Sequence, residues 1–319
     1  MSKKTHFSRR NFLAASAAAA GAFAVPTILT RYVWAQDGGK PVFTPVADNE
    51  LEQIEAALPE KATAKPKKAR RILVFYRCEG FVHRSFNRGN VALEKMGEKT
   101  GAYETESTNE MAVFDPGALK DFDAVLFNNT TRLKFDEKQR AALMDFVKSG
   151  KGICGIHAAT DNFYDWPEAA AMMGGLFAGH PWGGGGTWAM QIEEPDHPLN
   201  QGFAGKGFWI KDEIYKMRDP YSREKLRILV GLDMTKEENN KPKGAREDND
   251  HAVSWIRQFE GGKVFYCSLG HNNHIFWTPH VLQHYLDGIQ YAMGDLEADA
   301  TPSAQLSQKP KIVPAPEKA

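Results

Sequence analysis

Gly155-Ile156-His157-Ala158-Ala159 sets a single imidazole among small residues where a short apolar run, residues 153–156, stops. The spacing has the small-x-residue-x-small form of a nucleophile elbow, in which small neighbours let the chain bend sharply and the central side chain stands at a strand's C-terminal end. Imidazole ligates metals and moves protons but is rarely the attacking group, so this elbow points away from acyl-enzyme chemistry. Cys154, inside the strand, reads as a small apolar core residue. The other residues suited to chemistry are His83, His180, the Asp212-Glu213 pair and Gly270-His271.

The elements that must position these groups follow from periodicity. Residues 71–76 read as a buried strand, and the segment after it holds His83. Helical spacing covers residues 87–100, a weaker strand 102–107, and a strong strand 123–127 runs into Asn128-Asn129. Asp136 caps a helix that Gly150 terminates, and the elbow strand comes next. Strands and helices in alternation, with continuous apolar strands, argue for an α/β fold with a parallel sheet covered on both faces. Ligands of such sheets lie beyond the carboxyl ends of the strands, which gathers His83, Asn128, Asn129 and His157 at one edge. Residues 163–250 loosen into an insertion that carries His180-Pro181-Trp182, four consecutive glycines, a strand over 187–192, and Asp212-Glu213 within 208–217. The glycine run lacks the Lys and Ser/Thr of a phosphate loop and reads as a flexible loop. A strand over 226–232 precedes the charged stretch 236–250, read as a solvated loop. Residues 252–259 and 263–269 form a hairpin that ends at His271, and 279–293 a closing helix.

Lys+Arg and Asp+Glu both number 40, so no overall field favours nucleic acid or an anionic membrane. Ser8-Arg9-Arg10-Asn11-Phe12-Leu13 and the alanine-rich run behind it resemble a twin-arginine signal, with cleavage expected after Ala35. Residues 1–35 thus address the chain to the twin-arginine export machinery and the periplasm, with an uncleaved anchor as the alternative. Residues 36–69 read as a linker or N-terminal arm with one short helix over 49–58. Residues 70–294 form the folded domain, and the Pro- and Ala-rich tail 295–319 is expected to be disordered. Three cysteines, an odd count, argue against a disulfide framework.

GICGIHAATD, GGLFAGHP, DHPL, DEIYKM, HAVSWIRQFEGGKVFYCSLGH and the closing helix, in that order, resemble the trehalose-utilisation (ThuA-like) family over roughly residues 71–294. The resemblance implies a flavodoxin-like three-layer fold of the class I glutamine amidotransferase kind and a link to disaccharide or keto-sugar breakdown. Laid on that plan, His157 takes the nucleophile's place and His271 that of its histidine partner. No Cys or Ser stands at the elbow and Asn273 stands where a carboxylate would follow, so glutaminase activity is not expected. Two imidazoles at strand ends are instead suited to sharing a divalent metal.

The expected constellation is therefore His83, His157, His180 and His271 around a divalent metal, zinc being the expected ion, with Asp212 or Glu213 as general acid or base. Alternation along a strand lets only one of these two carboxylates face the pocket. Trp182, Trp255 or Trp277 would stack on a small-molecule sugar, with Asn128 and Asn129 binding it or merely satisfying a turn. Trp255 reads as core rather than platform. His197 reads as a turn residue, His251 as part of the solvated loop, and His274, His280 and His284 as solvent-facing or capping. The function expected is metal-assisted elimination or hydrolysis of keto-glycosides or disaccharides related to trehalose. A non-catalytic carbohydrate-binding protein and an amidotransferase-like enzyme using Cys154 are the competing readings.

Overall fold

Continuous apolar runs cannot leave a face in water, and here they pair as the parallel centre of one sheet. The computed structural model describes residues 45–318 and the backbone of Gln36–Asp37 and Lys40–Pro41; the expected export signal, residues 1–35, lies outside the described residues. Arg71–Phe75 (β1), Glu104–Thr108 (β2), Ala124–Asn128 (β3) and Gly152–Ile156 (β4) pair in parallel in the order 2-1-3-4. The chain then adds Thr187–Glu193 (β5), Phe208–Lys211 (β6), Arg227–Leu232 (β7), Ala252–Phe259 (β8) and Gly262–Cys267 (β9). β9 lies parallel to β4, which completes the flavodoxin-like order 2-1-3-4-9, and β8, β7 and β5 continue the sheet antiparallel. Within the insertion, residues 163–250, β5, β6 and β7 thus extend the sheet, while Leu176–Phe177 and Met217–Arg218 form a separate two-stranded pair.

Period-two alternation divides each central strand between two apolar layers. Ile72, Val74, Ala124, Leu126 and Ile156 face one layer; Leu73, Phe75, Val125, Phe127 and Ile153 face the other. Helices Asp48–Ala57 (α1) and Phe86–Thr100 (α2) cover the first face, Glu137–Lys148 (α3) and Pro167–Met173 (α4) the second, and Pro279–Ala292 (α5) returns to the first. α3 begins on a capping box, with Asp136 Oδ1 accepting from the Gln139 N–H at 2.9 Å, an interaction worth about 1 kcal/mol. Gly288 lets α5 lie directly on β9, since a Cβ there would stand 2.4 Å from the Phe265 ring. That close approach fixes the strand whose end carries His271.

Both terminal segments are tied to this core more firmly than composition implies. Residues 45–69 form an arm rather than a linker: α1 buries Ile54 completely, Thr63 Oγ1 donates to Asp287 at 2.5 Å, and Arg70 pairs with Asp295 at 2.6 Å. The tail expected to be disordered is placed on the sheet edge. Ile312–Val313 (β10) pairs antiparallel with β5, and the Ala315 N–H donates to Asp233 Oδ2 at 2.9 Å. Pro- and Ala-rich composition gives no sign of such an attachment, because the edge of β5 supplies the backbone partners.

Candidate metal centre

The bend after β4 is real and strained. His157 adopts φ 47°, a left-handed conformation costing a β-carbon residue about 1–2 kcal/mol, and it turns the ring up beyond the strand end. Gly270, at φ 136°, makes room for it, since a Cβ there would come within 3.1 Å of His157 Cβ. A 3-10 turn, His157–Thr160, follows. The His157 ring is 0% exposed, and its Nδ1 donates to the Ser268 carbonyl at 2.6 Å. A carbonyl only accepts, so the proton of the neutral ring sits on Nδ1. Nε2 then carries a lone pair, and it has no hydrogen-bond partner.

Three further groups gather around that ring. His83 arrives from the segment after β1, His271 from the end of β9, and Glu213 from the stretch after β6. The ring centroids of His83, His157 and His271 lie 4.6–5.4 Å apart, and one ligand atom from each of the three rings and Glu213 lies within 4.8 Å of all the others. His83 Nδ1 and His271 Nδ1 are also buried without a hydrogen bond. Glu213 Oε1 is 3.3 Å from His271 Nδ1, near enough for charge pairing but misaligned for a hydrogen bond, and 3.7 Å from His157 Nε2. Three imidazoles and one carboxylate form a donor set that suits zinc. Two tetrahedral ligands about 2.1 Å from zinc stand roughly 3.4 Å apart, so the rings must draw in by about 1 Å to hold it.

Electrostatics favour a cation here. Burial, then the neighbouring imidazoles, pushes His83 down to about 3 and His157 well below the ordinary range, so both rings are neutral lone-pair donors at neutral pH. Burial pulls His271 the same way, but the Glu213 carboxylate overrides it and holds the imidazolium above its usual range. For Glu213, burial is outweighed by His271, His157 and His180, and its pKa is lowered.

Tyr215, two residues beyond Glu213 on the same face, bonds His83 Nε2 through its hydroxyl at 3.2 Å and lies 4.4 Å from the His157 ring. The glycine run has a defined place: a Cβ on Gly184 would meet the His271 ring at 2.9 Å, and the Gly184 carbonyl accepts from Asn272 Nδ2.

The other expected site residues are distributed differently. His180 stands outside the four, its side chain 55% exposed and its Nδ1 3.3 Å from Glu213 Oε2. Asp212 turns away from the pocket and accepts backbone N–H groups of Gly270 at 2.7 Å and Asn272 at 2.8 Å. Burial lifts it to about 7 against the pull of those donors. Glu213 is thus the carboxylate that faces the cluster, and Asp212 is a clamp on the turn that carries His271. Asn128 and Asn129 are fully buried; Asn128 bonds the Phe86 carbonyl and Asn90, and Asn129 the Gly270 carbonyl, so neither meets a ligand in the cleft. Trp182 is 0% exposed, donates to the Asn239 carbonyl and packs on His251, which removes it as a sugar platform. Trp255 is core, its indole N–H on the Met173 carbonyl. His251 and His284 are buried rather than solvated, His284 between the Leu199 carbonyl and Ser254 Oγ. His197 caps the 3-10 turn Pro198–Phe203.

All three thiols are buried and unpaired with one another, and burial pushes Cys78 up to about 11 and Cys267 to about 12. Iodoacetamide at pH 8 is expected to label none of them in the native protein and all three in denaturant, by mass spectrometry. Native labelling of Cys154 with loss of activity would restore the thiol mechanism.

A family model described as ThuA, trehalose utilisation, matches residues 71–292. The chain belongs to the ThuA family. Among solved structures it is similar to a putative ThuA-like protein from Bacteroides uniformis ATCC 8492, 18% identical with a TM-score of 0.58 over 72% of this chain and 94% of that one. A putative ThuA-like protein from Parabacteroides merdae ATCC 43184 is 16% identical, with a TM-score of 0.56 over 73% and 93%. At such identities the likeness is one of fold. None of the curated proteins matches. The four clustered groups lie within the ThuA span, whereas α1 and the paired tail lie outside it.

Proposed function

We propose that this ThuA-family chain is an exported enzyme that cleaves keto-glycosides or disaccharides related to trehalose by metal-assisted elimination or hydrolysis. The observation that carries the reading is the gathering of His83, His157, His271 and Glu213, one ligand atom from each within 4.8 Å of the others, with the His157 Nε2 lone pair buried and without a hydrogen bond. His83, His157, His271 and Glu213 would hold a divalent cation, zinc by the donor set, which when bound would supply Lewis acidity toward a substrate carbonyl or water. The protein's own groups then supply proton transfer. Glu213 Oε2 faces His180 at the solvent edge, an orientation in which the carboxylate steadies an imidazole that takes or gives a proton. In elimination from a 3-keto-glycoside, the base takes the proton on C2 and its electron pair becomes the C1=C2 bond. The C1–O bond then breaks, and the departing oxygen takes up a proton to leave as the alcohol.

Incubation of the purified, untagged protein with 3-ketotrehalose, followed by product analysis, is expected to show turnover that chelation abolishes. Turnover indifferent to chelation would remove the metal from the reading, and saturable binding without turnover would favour a sugar-binding protein instead. The twin-arginine pattern at Arg9-Arg10 supports export to the periplasm, so the activity is expected in the periplasmic fraction, and activity confined to the cytoplasm counts against it.

A further inference from the structure

Beside the cluster, on the solvent side of His83 and His271, lies a cleft of about 780 Å³, within the size range of small-molecule sites. Its most unusual wall is Phe81. Among the described residues, Phe81 and Ile312 are the large apolar side chains left exposed, and Phe81 is 66% exposed. Covering such a ring is worth about 1.5–3 kcal/mol, so leaving it in water at the mouth of a polar cleft has a cost that a ligand would relieve. The ring stands edge-on to His83 at 4.8 Å and nearly parallel to His271, at 14° and 6.5 Å. Trp277, half-buried, gives the cleft a second aromatic surface. Asn273 and Lys211 place N–H donors on its wall and Glu50 a carboxylate. A flat apolar face ringed by hydrogen-bonding groups matches a pyranose, whose C–H face is apolar and whose rim is hydroxyl.

Glu50 adds a point specific to this chain. It comes from α1, outside the span matched by the family model, and reaches the cleft through Arg88 Nη2 at 2.5 Å and Asn273 Nδ2 at 3.4 Å. The N-terminal arm therefore builds part of the wall.

We infer that this cleft is a saccharide subsite, with Phe81 as the stacking face beside the metal centre and the arm, through Glu50, closing its far wall. The assignment rests on the proposed activity only for which end of the sugar reacts; recognition of the ring stands on the cleft itself. The probe is trehalose, titrated calorimetrically into the full chain loaded with zinc, with metal content measured on each variant. Wild type is expected to bind saturably, Phe81→Ala to bind at least about 10-fold more weakly with unchanged metal content, and Phe81→Trp to regain affinity. Glu50→Ala is expected to weaken binding by a smaller factor. Phe81 is exposed, so its variants carry little risk of misfolding. Equal affinity of wild type and Phe81→Ala overturns the stacking role, and no trehalose binding by wild type overturns the subsite. Binding that follows Phe81 while turnover of the keto-sugar ignores chelation upholds the subsite and sinks the metal-assisted reading alone.

Discussion

Replacing His157 by alanine is expected to lower zinc affinity by more than about 100-fold, so that protein purified with one equivalent of metal becomes a variant holding only traces. The magnitude follows from comparison: mutating a group that merely orients a metal ligand costs about 10–100-fold, and His157 would itself be a ligand, buried and already oriented by Ser268. His157→Ala also strands the Ser268 carbonyl, so Glu213→Gln serves as the companion variant. It keeps the shape of the side chain while removing the negative charge that three imidazoles face. Elemental analysis of untagged protein reads both. Full metal content in both variants, or a wild type with far less than one equivalent, would rule out the site. The proton dependence has a definite sign. A proton and a metal compete for His271 Nδ1, whose pKa Glu213 raises above the usual imidazole range, so affinity is fully developed only above that raised pKa and declines as pH falls through it.

Asp212→Ala should act on the fold rather than directly on the metal. The side chain accepts from three backbone N–H groups in the turn after β9, the buried one of Gly270 and the part-buried ones of His271 and Asn272, and a buried donor left without a partner costs about 1–3 kcal/mol. Relief of the desolvation that lifts Asp212 to about 7 offsets part of that, leaving a loss of about 3 kcal/mol. At about 2–4 °C per kcal/mol, Tm falls by about 6–12 °C. Asp212→Asn, which keeps one acceptor oxygen but turns an amide N–H toward a donor, is expected to fall between. Thermal unfolding followed by circular dichroism decides the matter: an Asp212→Ala variant that melts within 2 °C of wild type would show that the turn holds itself. Glu213→Gln, by contrast, should leave Tm nearly unchanged in metal-free protein, because Glu213 bonds no buried backbone group among the described residues.

The two adjacent carboxylates show where reading the chain succeeds and where it stops. Alternation establishes that Asp212 and Glu213 face opposite ways, and periodicity locates the strands that bring His157 and His271 to one edge, because side-chain direction in a strand is a local property. Which carboxylate faces the cluster depends on how residues 211–218 pair with residues 176–182, where Ile214 bonds the Trp182 carbonyl and Met217 opposes Phe177. Such register is non-local. His83 illustrates the same division: its place after β1 is legible, but its burial and its contact with Tyr215 arise only when the insertion folds over it. Tyr215 had a signal, since it lies two residues from Glu213, whereas Phe81 had none, because exposure of an apolar ring is a property of the assembled surface.

The tryptophans and asparagines mark the limit from the other side. A sugar platform and a core residue are both aromatic, and nothing in the neighbourhood of Trp182 says that Asn239 and His251 will enclose it. By itself the sequence determined the parallel centre of the sheet, the histidine elbow and the family, all of which rest on patterns within one element or on ordered motifs. Tertiary structure alone decided which four side chains meet, that His180 stays at the rim, and that the arm and tail are attached. Those outcomes depend on pairings between segments tens to hundreds of residues apart, whose free energy no local pattern encodes.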